Sequence, residues 1–337
     1  MNSHIRKAWS ILLFAALLNP NSGYAEVVQR SFCVWDPIGT NGPYFSMMKN
    51  LQIKASAWGV ALQLQAYTDE GVAANDFKTG QCDAVALTEI ISRSYNAFAG
   101  TVGAVGALPT LDELHIVLNI LAQPSAAGLM INGPYEVAGI LPVGPIYTFV
   151  NDRSIDSFKG FQGRKMATFD VDPVQIEVAR QVGASPVSSS LSRFAGQFNN
   201  GSVDIAFAPA TAYMPMELYK GLRAGGGVIK RPLLQATLQV LIHREKFPAD
   251  FGQNARQVFL GMLDGAFQNI ESVEIDIAKE HWISVSDKAT NEMDKLFRES
   301  RIKLRDKGVY DAKALRLMRK VRCKRNPSNA ECVEETE

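Results

Sequence analysis

Phe77-Lys78-Thr79-Gly80-Gln81-Cys82-Asp83-Ala84-Val85-Ala86 and Phe198-Asn199-Asn200-Gly201-Ser202-Val203-Asp204-Ile205-Ala206-Phe207 follow one spacing. Phe opens each segment, Gly stands three positions on and Asp six. A run of small and β-branched apolar residues then predicts a buried parallel strand. Glycine lets a chain leave a helix through a left-handed position, and aspartate hydrogen-bonds backbone amides where a strand begins. One copy of this spacing arises by chance. Two copies in matching contexts predict two α/β lobes of related design.

Around the first copy, Ser31 to Trp35 reads as a strand, followed by the turn-rich Asp36 to Pro43. Tyr44 to Trp58 has helical periodicity, Val60 to Tyr67 alternates as a second strand, and Gly71 to Lys78 is a short helix before the strand Ala84 to Leu87. This is βαβαβ, whose connections require parallel neighbours and right-handed crossovers. Thr110 and Glu113 form a capping-box pair for a helix over Leu111 to Leu121. Gly128 to Gly144 is rich in Gly, Pro and small residues and reads as a loop or a series of turns. Around the second copy, strands are expected at Ile146 to Val150 and Lys165 to Phe169, helices at Pro173 to Val182 and Arg193 to Asn199, and one long strand at Leu233 to His243. If Ile146 to Val150 and Leu233 to His243 cross between lobes, the second lobe (146–243) is an insertion in the first (26–145 and 244–337). One continuous sheet is the competing arrangement. Helices are expected over Asn254 to Phe267, Val273 to Ser286, Ala289 to Arg305 and Ala312 to Val321.

The 337 residues carry a formal charge of +1, with 47% hydrophobic and 20% charged residues. That balance fits a folded soluble protein and gives no bulk attraction for nucleic acid. Residues 1–25 read as a secretory signal: His4, Arg6 and Lys7 are basic, Trp9 to Leu18 is apolar, and Ser22-Gly23-Tyr24-Ala25 predicts a cut near Ala25. The apolar run is too short to span a bilayer. Export makes the four cysteines informative. Three pairings are open; Cys33 with Cys82 and Cys323 with Cys332 are the favoured ones. There is no C-x-x-C, and His115, His243 and His281 lie apart from the cysteines and one another, so neither a metal nor a cofactor is expected. Nor is there a G-x-S-x-G, H-E-x-x-H or P-loop motif, which argues against an enzyme. Lys313, Arg316, Arg319, Lys320, Arg322, Lys324 and Arg325 follow one another without an acid, as a docking surface or a solvated face.

The leader, paired lobes and helical carboxyl end resemble a periplasmic solute-binding protein of the type II periplasmic-binding-protein fold. More specifically, the chain resembles the binding component of tripartite ATP-independent periplasmic (TRAP) transporters, in a divergent offshoot. Phe32-Cys33-Val34-Trp35-Asp36-Pro37, Tyr67-Thr68-Asp69-Glu70 and Asp76 to Asp83 carry that likeness. The resemblance implies a monomer that binds a small-molecule or lipid-like solute between its lobes and delivers it to a membrane transporter or another envelope partner. In the main family, a strand matching Gly163-Arg164-Lys165-Met166-Ala167 carries an arginine that clamps the substrate carboxylate. Here that position is Ala167, and Arg164, three residues away along a strand, differs in depth and face.

Loss of the clamp leads to the expectation of a bulky, amphipathic or lipid-like ligand rather than a small dicarboxylate. The expected contacts are Trp35, Asp36, Asn41, Tyr44, Glu70, Glu89 and Arg93 in the first lobe, and Phe169, Asp170, Asp172, Pro209, Tyr213 and Met214 in the second. Arg93 either pairs with Glu89 along a helix or faces the cleft. In the second case it replaces the missing arginine and the ligand is a small organic anion. An envelope adaptor working through its basic carboxyl end is a further alternative.

Overall fold

The computed structural model describes residues 27–327, 330–334 and 337; the expected signal, residues 1–25, lies outside them. Ten strands form one hydrogen-bonded sheet: β1 (Val28–Trp35), β2 (Val60–Tyr67), β3 (Ala84–Thr88), β4 (Ile131–Asn132), β5 (Tyr135–Val150), β6 (Lys165–Phe169), β7 (Ser185–Ser189), β8 (Ile205–Pro209), β9 (Gly227–His243) and β10 (Trp282–Ile283). Its main path runs β2-β1-β3-β9-β5-β8-β6-β7. In the first lobe β1 lies parallel to β2 and β3, and β9 closes the edge antiparallel to β3. In the second, β6 lies parallel to β7 and β8, and β5 closes the edge antiparallel to β8. The antiparallel pair β5 and β9 runs through both lobes. Two lobes and a continuous sheet are therefore both present, because the crossing strands are long enough to serve each half.

The duplicated segments do equivalent work. Gly80 and Gly201 have φ of 80° and 79°, so each helix ends through the left-handed region that favours glycine. Phe77 and Phe198 are fully buried under their own lobes. Asp83 accepts a hydrogen bond from the Ser31 amide at 2.9 Å, and Asp204 accepts one from the Lys165 amide at 2.9 Å. Each carboxylate thus ties the start of its strand to the neighbouring strand. Cys33 and Cys82, with Cα atoms 5.9 Å apart, are joined by a disulfide across the same corner of the first lobe, and Cys323 is joined to Cys332.

The largest departure from sequence expectation is Gly128 to Gly144, where a 3-10 segment (Pro124–Met130) leads into β5, a strand of 16 residues rather than a short one. Register shifts between Val137 and Gly139, Pro142 and Gly144, and Ile146 and Thr148 bend the strand, so its glycines and prolines mark bulges, not turns. At Gly139 a Cβ would lie 1.9 Å from the Phe259 ring. Gly139→Ala is expected to cost about 1–3 kcal/mol, read as a lower urea midpoint with unchanged m.

The carboxyl-terminal half is less continuous than expected. The Asn254 to Phe267 helix is two, Phe251–Leu260 and Leu263–Val273, and Val273 to Ser286 is no helix but two 3-10 turns followed by β10. β10 pairs with Val228 and Ile229 of β9, returning the chain to the second lobe. Helix Asp287–Asp306 then spans the lobes, with Ser300 and Lys303 bonded to Gln181 and Glu177 of the second. The basic run on helix Ala312–Arg325 is not one face: Arg319 and Arg322 are buried, while Lys313, Arg316, Lys320, Lys324 and Arg325 are exposed. Among the described residues no helix is long and apolar enough to cross a membrane.

Candidate functional site

Carboxyl ends of strands from both lobes converge on a cavity of about 210 Å³. Trp35 ends β1, and its ring stacks on Tyr44 at 5.8 Å between centroids. Thr88 ends β3 and is followed by Glu89 and Arg93 on and just beyond the short helix Glu89–Ser92. From the second lobe come Phe169 at the end of β6, Asp172 at the start of helix Pro173–Gln181, and Phe207 and Pro209 in β8. Ile146 of β5 and Leu233 and Leu234 of β9 complete the apolar wall between them.

Arg93 is the centre of the polar part. Its Nη1 lies 3.4 Å from Asp172 Oδ1 across the cleft, its Nε donates to the Gly100 carbonyl at 3.3 Å, and its guanidinium sits 5.3 Å from the centroid of the Tyr310 ring. The Arg93 and Asp172 side chains are 9% and 3% exposed, so the two lobes meet at a nearly dry ion pair. The helical Glu89–Arg93 pairing does not form: Glu89 instead accepts the Thr237 amide of β9 at 2.8 Å. Burial pushes the Glu89 carboxyl up to about 7 against the opposing pull of that amide. Burial also raises the Asp172 carboxyl, with the charge of Arg93 opposing it, and it raises the Tyr44 hydroxyl, helped by Asp36 and Glu89.

Seven of the expected contacts line this cavity: Trp35, Tyr44, Glu89, Arg93, Phe169, Asp172 and Pro209. Glu70 and Asp170 line an adjoining crevice of about 170 Å³ that shares Ile90, Phe169 and Leu191 with it. Asp36 is fully buried and turned inward, where it accepts the amides of Ile38, Tyr44 and Phe45 at 2.8–3.0 Å and caps the first helix. Its carboxylate holds the Tyr44 backbone in place and is committed to three backbone amides. Asn41 sits exposed in the 3-10 turn Gly39–Asn41, away from the cavity. Tyr213 packs on Phe149 in the second-lobe core, and Met214 is about half exposed outside the cavity. Sequence reasoning missed Phe194, Phe207, Ile146 and Leu233. The strand-end rule applied to the second duplicated segment would have found Phe207; the others depend on how the lobes close.

Ala167 is buried in the second-lobe core and does not line the cavity. Arg164 pairs with Asp152 at 3.0 Å, at the opposite end of β6. The cation in the cleft is therefore Arg93 of the first lobe.

Residues 44–337 match the family model described as "Solute-binding protein AdeT 1/2". The chain is 39% identical over 300 residues to a "Probable solute-binding protein AdeT1" of Acinetobacter baumannii, covering 89% of this chain and 99% of that protein. Among solved structures it resembles a TRAP periplasmic solute-binding protein from Desulfovibrio desulfuricans with bound sn-glycerol-3-phosphate (TM-score 0.72, 12% identity, 90% of this chain and 99% of that one). It also resembles one from Desulfovibrio salexigens with bound orotic acid (TM-score 0.71, 12% identity, 87% and 97%). The two solved structures hold small anions, which overturns the expectation of a bulky or lipid-like ligand. The physical reason is visible in the cleft: absence of arginine at 167 does not remove the cation, because Arg93 supplies one from the other lobe. A cavity of about 210 Å³ also lies below the roughly 300–1,000 Å³ of drug-sized sites. The solved structures show a shared type II fold with a cleft between the lobes, and the family makes this a solute-binding protein. The chain belongs to the AdeT 1/2 family of solute-binding proteins.

Proposed function

We propose that the chain binds a small organic acid between its lobes, with Arg93 holding the carboxylate, and presents it to a membrane-embedded transporter. The carrying observation is the position of Arg93: a cation 9% exposed, at the cavity wall, paired across the cleft with an aspartate that a ligand carboxylate can displace. The proposal takes one chain as the binding unit, exported through residues 1–25 with a cut near Ala25. Trp35, Tyr44 and Glu89 contact the solute from one lobe and Phe169, Asp172 and Pro209 from the other. A solute touching both walls favours the closed arrangement by binding it more tightly, and the closed form is what a transporter recognises.

Titration calorimetry of the purified protein against a panel of small mono- and dicarboxylates tests this. At least one acid is expected to bind, and Arg93→Met is expected to weaken it by 30-fold or more, as truncation of a desolvated, hydrogen-bonded charge costs about 2–5 kcal/mol. Arg93→Lys should fall between, since ammonium cannot reproduce a bidentate fork. Equal affinity for wild type and Arg93→Met, or no acid bound at all, would sink the proposal.

A further inference from the structure

Two ionisable carboxyls and one guanidinium lie on the cavity wall, with a third carboxyl in the adjoining crevice. Arg93 is the only Lys, Arg or His on the cavity wall among the described residues, whereas Glu89 and Asp172 share that wall and Glu70 lies in the adjoining crevice. Asp172 engages Arg93, and Glu89 accepts a backbone amide but has no ion-pair partner within 4 Å among the described residues. The rest of the wall is mostly apolar, with Phe169, Phe194, Phe207, Ile146 and Leu233, and its other polar side chains are the uncharged Tyr44, Thr88, Gln175 and Thr211.

A ligand carboxylate that takes Arg93 leaves Asp172 and Glu89 as two buried acids facing the bound solute. A second carboxylate on the ligand would meet two acidic side chains and no second cation. An ammonium beside the first carboxylate would meet both acids and restore charge balance in a site that excludes water. We infer that the cargo is a small zwitterion, its carboxylate on Arg93, its ammonium between Glu89 and Asp172, and its apolar body against Phe169 and Leu233. This rests on the proposed role of Arg93 and adds to it the charge of the second group.

A matched set separates the two ideas: L-leucine, 4-methylpentanoate, 3-methylbutylamine and succinate, titrated against the purified protein by calorimetry. The expected result is leucine at least tenfold tighter than either singly charged analogue, with succinate silent. Glu89→Gln keeps an acceptor for the Thr237 amide, and thermal melting checks that it folds. It should remove most of leucine's advantage while leaving 4-methylpentanoate as tight or tighter, and Asp172→Asn should act in the same direction. If 4-methylpentanoate or succinate binds as well as leucine and Arg93→Met abolishes it, the zwitterion falls and the organic-acid reading stands. If the amine binds as well as leucine and Arg93→Met leaves it unchanged, both fall.

Discussion

Glu331→Gln lowers the stability of the folded chain by about 3–5 kcal/mol, the range for breaking one partner of a buried ion pair. Glu331 accepts from Arg322 Nε at 2.5 Å, Arg322 Nη2 at 2.9 Å and Arg301 Nη2 at 3.0 Å, while Glu337 binds both arginines from the other side. The two guanidinium side chains are 2% and 6% exposed. They reach on to the Val105 and Ala107 carbonyls, so the chain end is fastened to the first lobe. Gln keeps the shape and removes the charge, leaving Glu337 as the carboxylate facing both arginines among the described residues. The disulfide between Cys323 and Cys332 stays intact, so the loss measured is electrostatic. Urea unfolding at pH 7 reads it, and a change below 1 kcal/mol would show that the cluster is incidental.

The same cluster shows what a sequence conceals. Seven basic residues near the carboxyl end look like a surface, but Arg319 and Arg322 are buried, and the acids that balance Arg322 come from a tail closed back by the second disulfide. The paired Phe-Gly-Asp segments were legible because their roles are local: a left-handed glycine, a buried ring and an aspartate tying adjacent strands act within one helix-turn-strand unit. The Thr110 and Glu113 capping box was legible for the same reason. Gly128 to Gly144 was misread because composition reports loss of regularity without distinguishing turns from bulges. Asp36 was misread because an acid at a strand end serves equally as a ligand contact or a helix cap, and three backbone amides settle it here. The Arg93–Asp172 pair joins positions 79 apart through closure of two lobes, which no local spacing records.

Glu70→Gln is expected to stabilise the protein at neutral pH and to leave it unchanged at pH 4.5. Glu70 is 6% exposed, and one carboxylate oxygen accepts the Thr88 amide at 2.6 Å. No Lys, Arg or His lies within 4 Å of it among the described residues. Burial therefore pushes its carboxyl up to about 7, the Thr88 bonds opposing the shift and Glu89 and Asp69 adding to it. Between the unfolded value of about 4.5 and the folded value of about 7, the folded chain holds a proton that the unfolded chain has released. Stability must then fall as pH rises through that window, by about 3 kcal/mol in all. The Glu331 carboxyl runs the other way: burial raises it, but the bonds and charges of Arg322, Arg301 and Arg298 prevail and hold it low, so its contribution is lost only as acid protonates it. Gln at position 70 keeps the acceptor and cannot ionise, so the difference between variant and wild type should open from near zero at pH 4.5 to about 3 kcal/mol at pH 8. Urea midpoints across that range measure it. Parallel profiles would show that water or a rearranged Thr88 already solvates the charge, and the dry character assigned to this end of the cleft, on which the strength of Arg93 depends, would go with it.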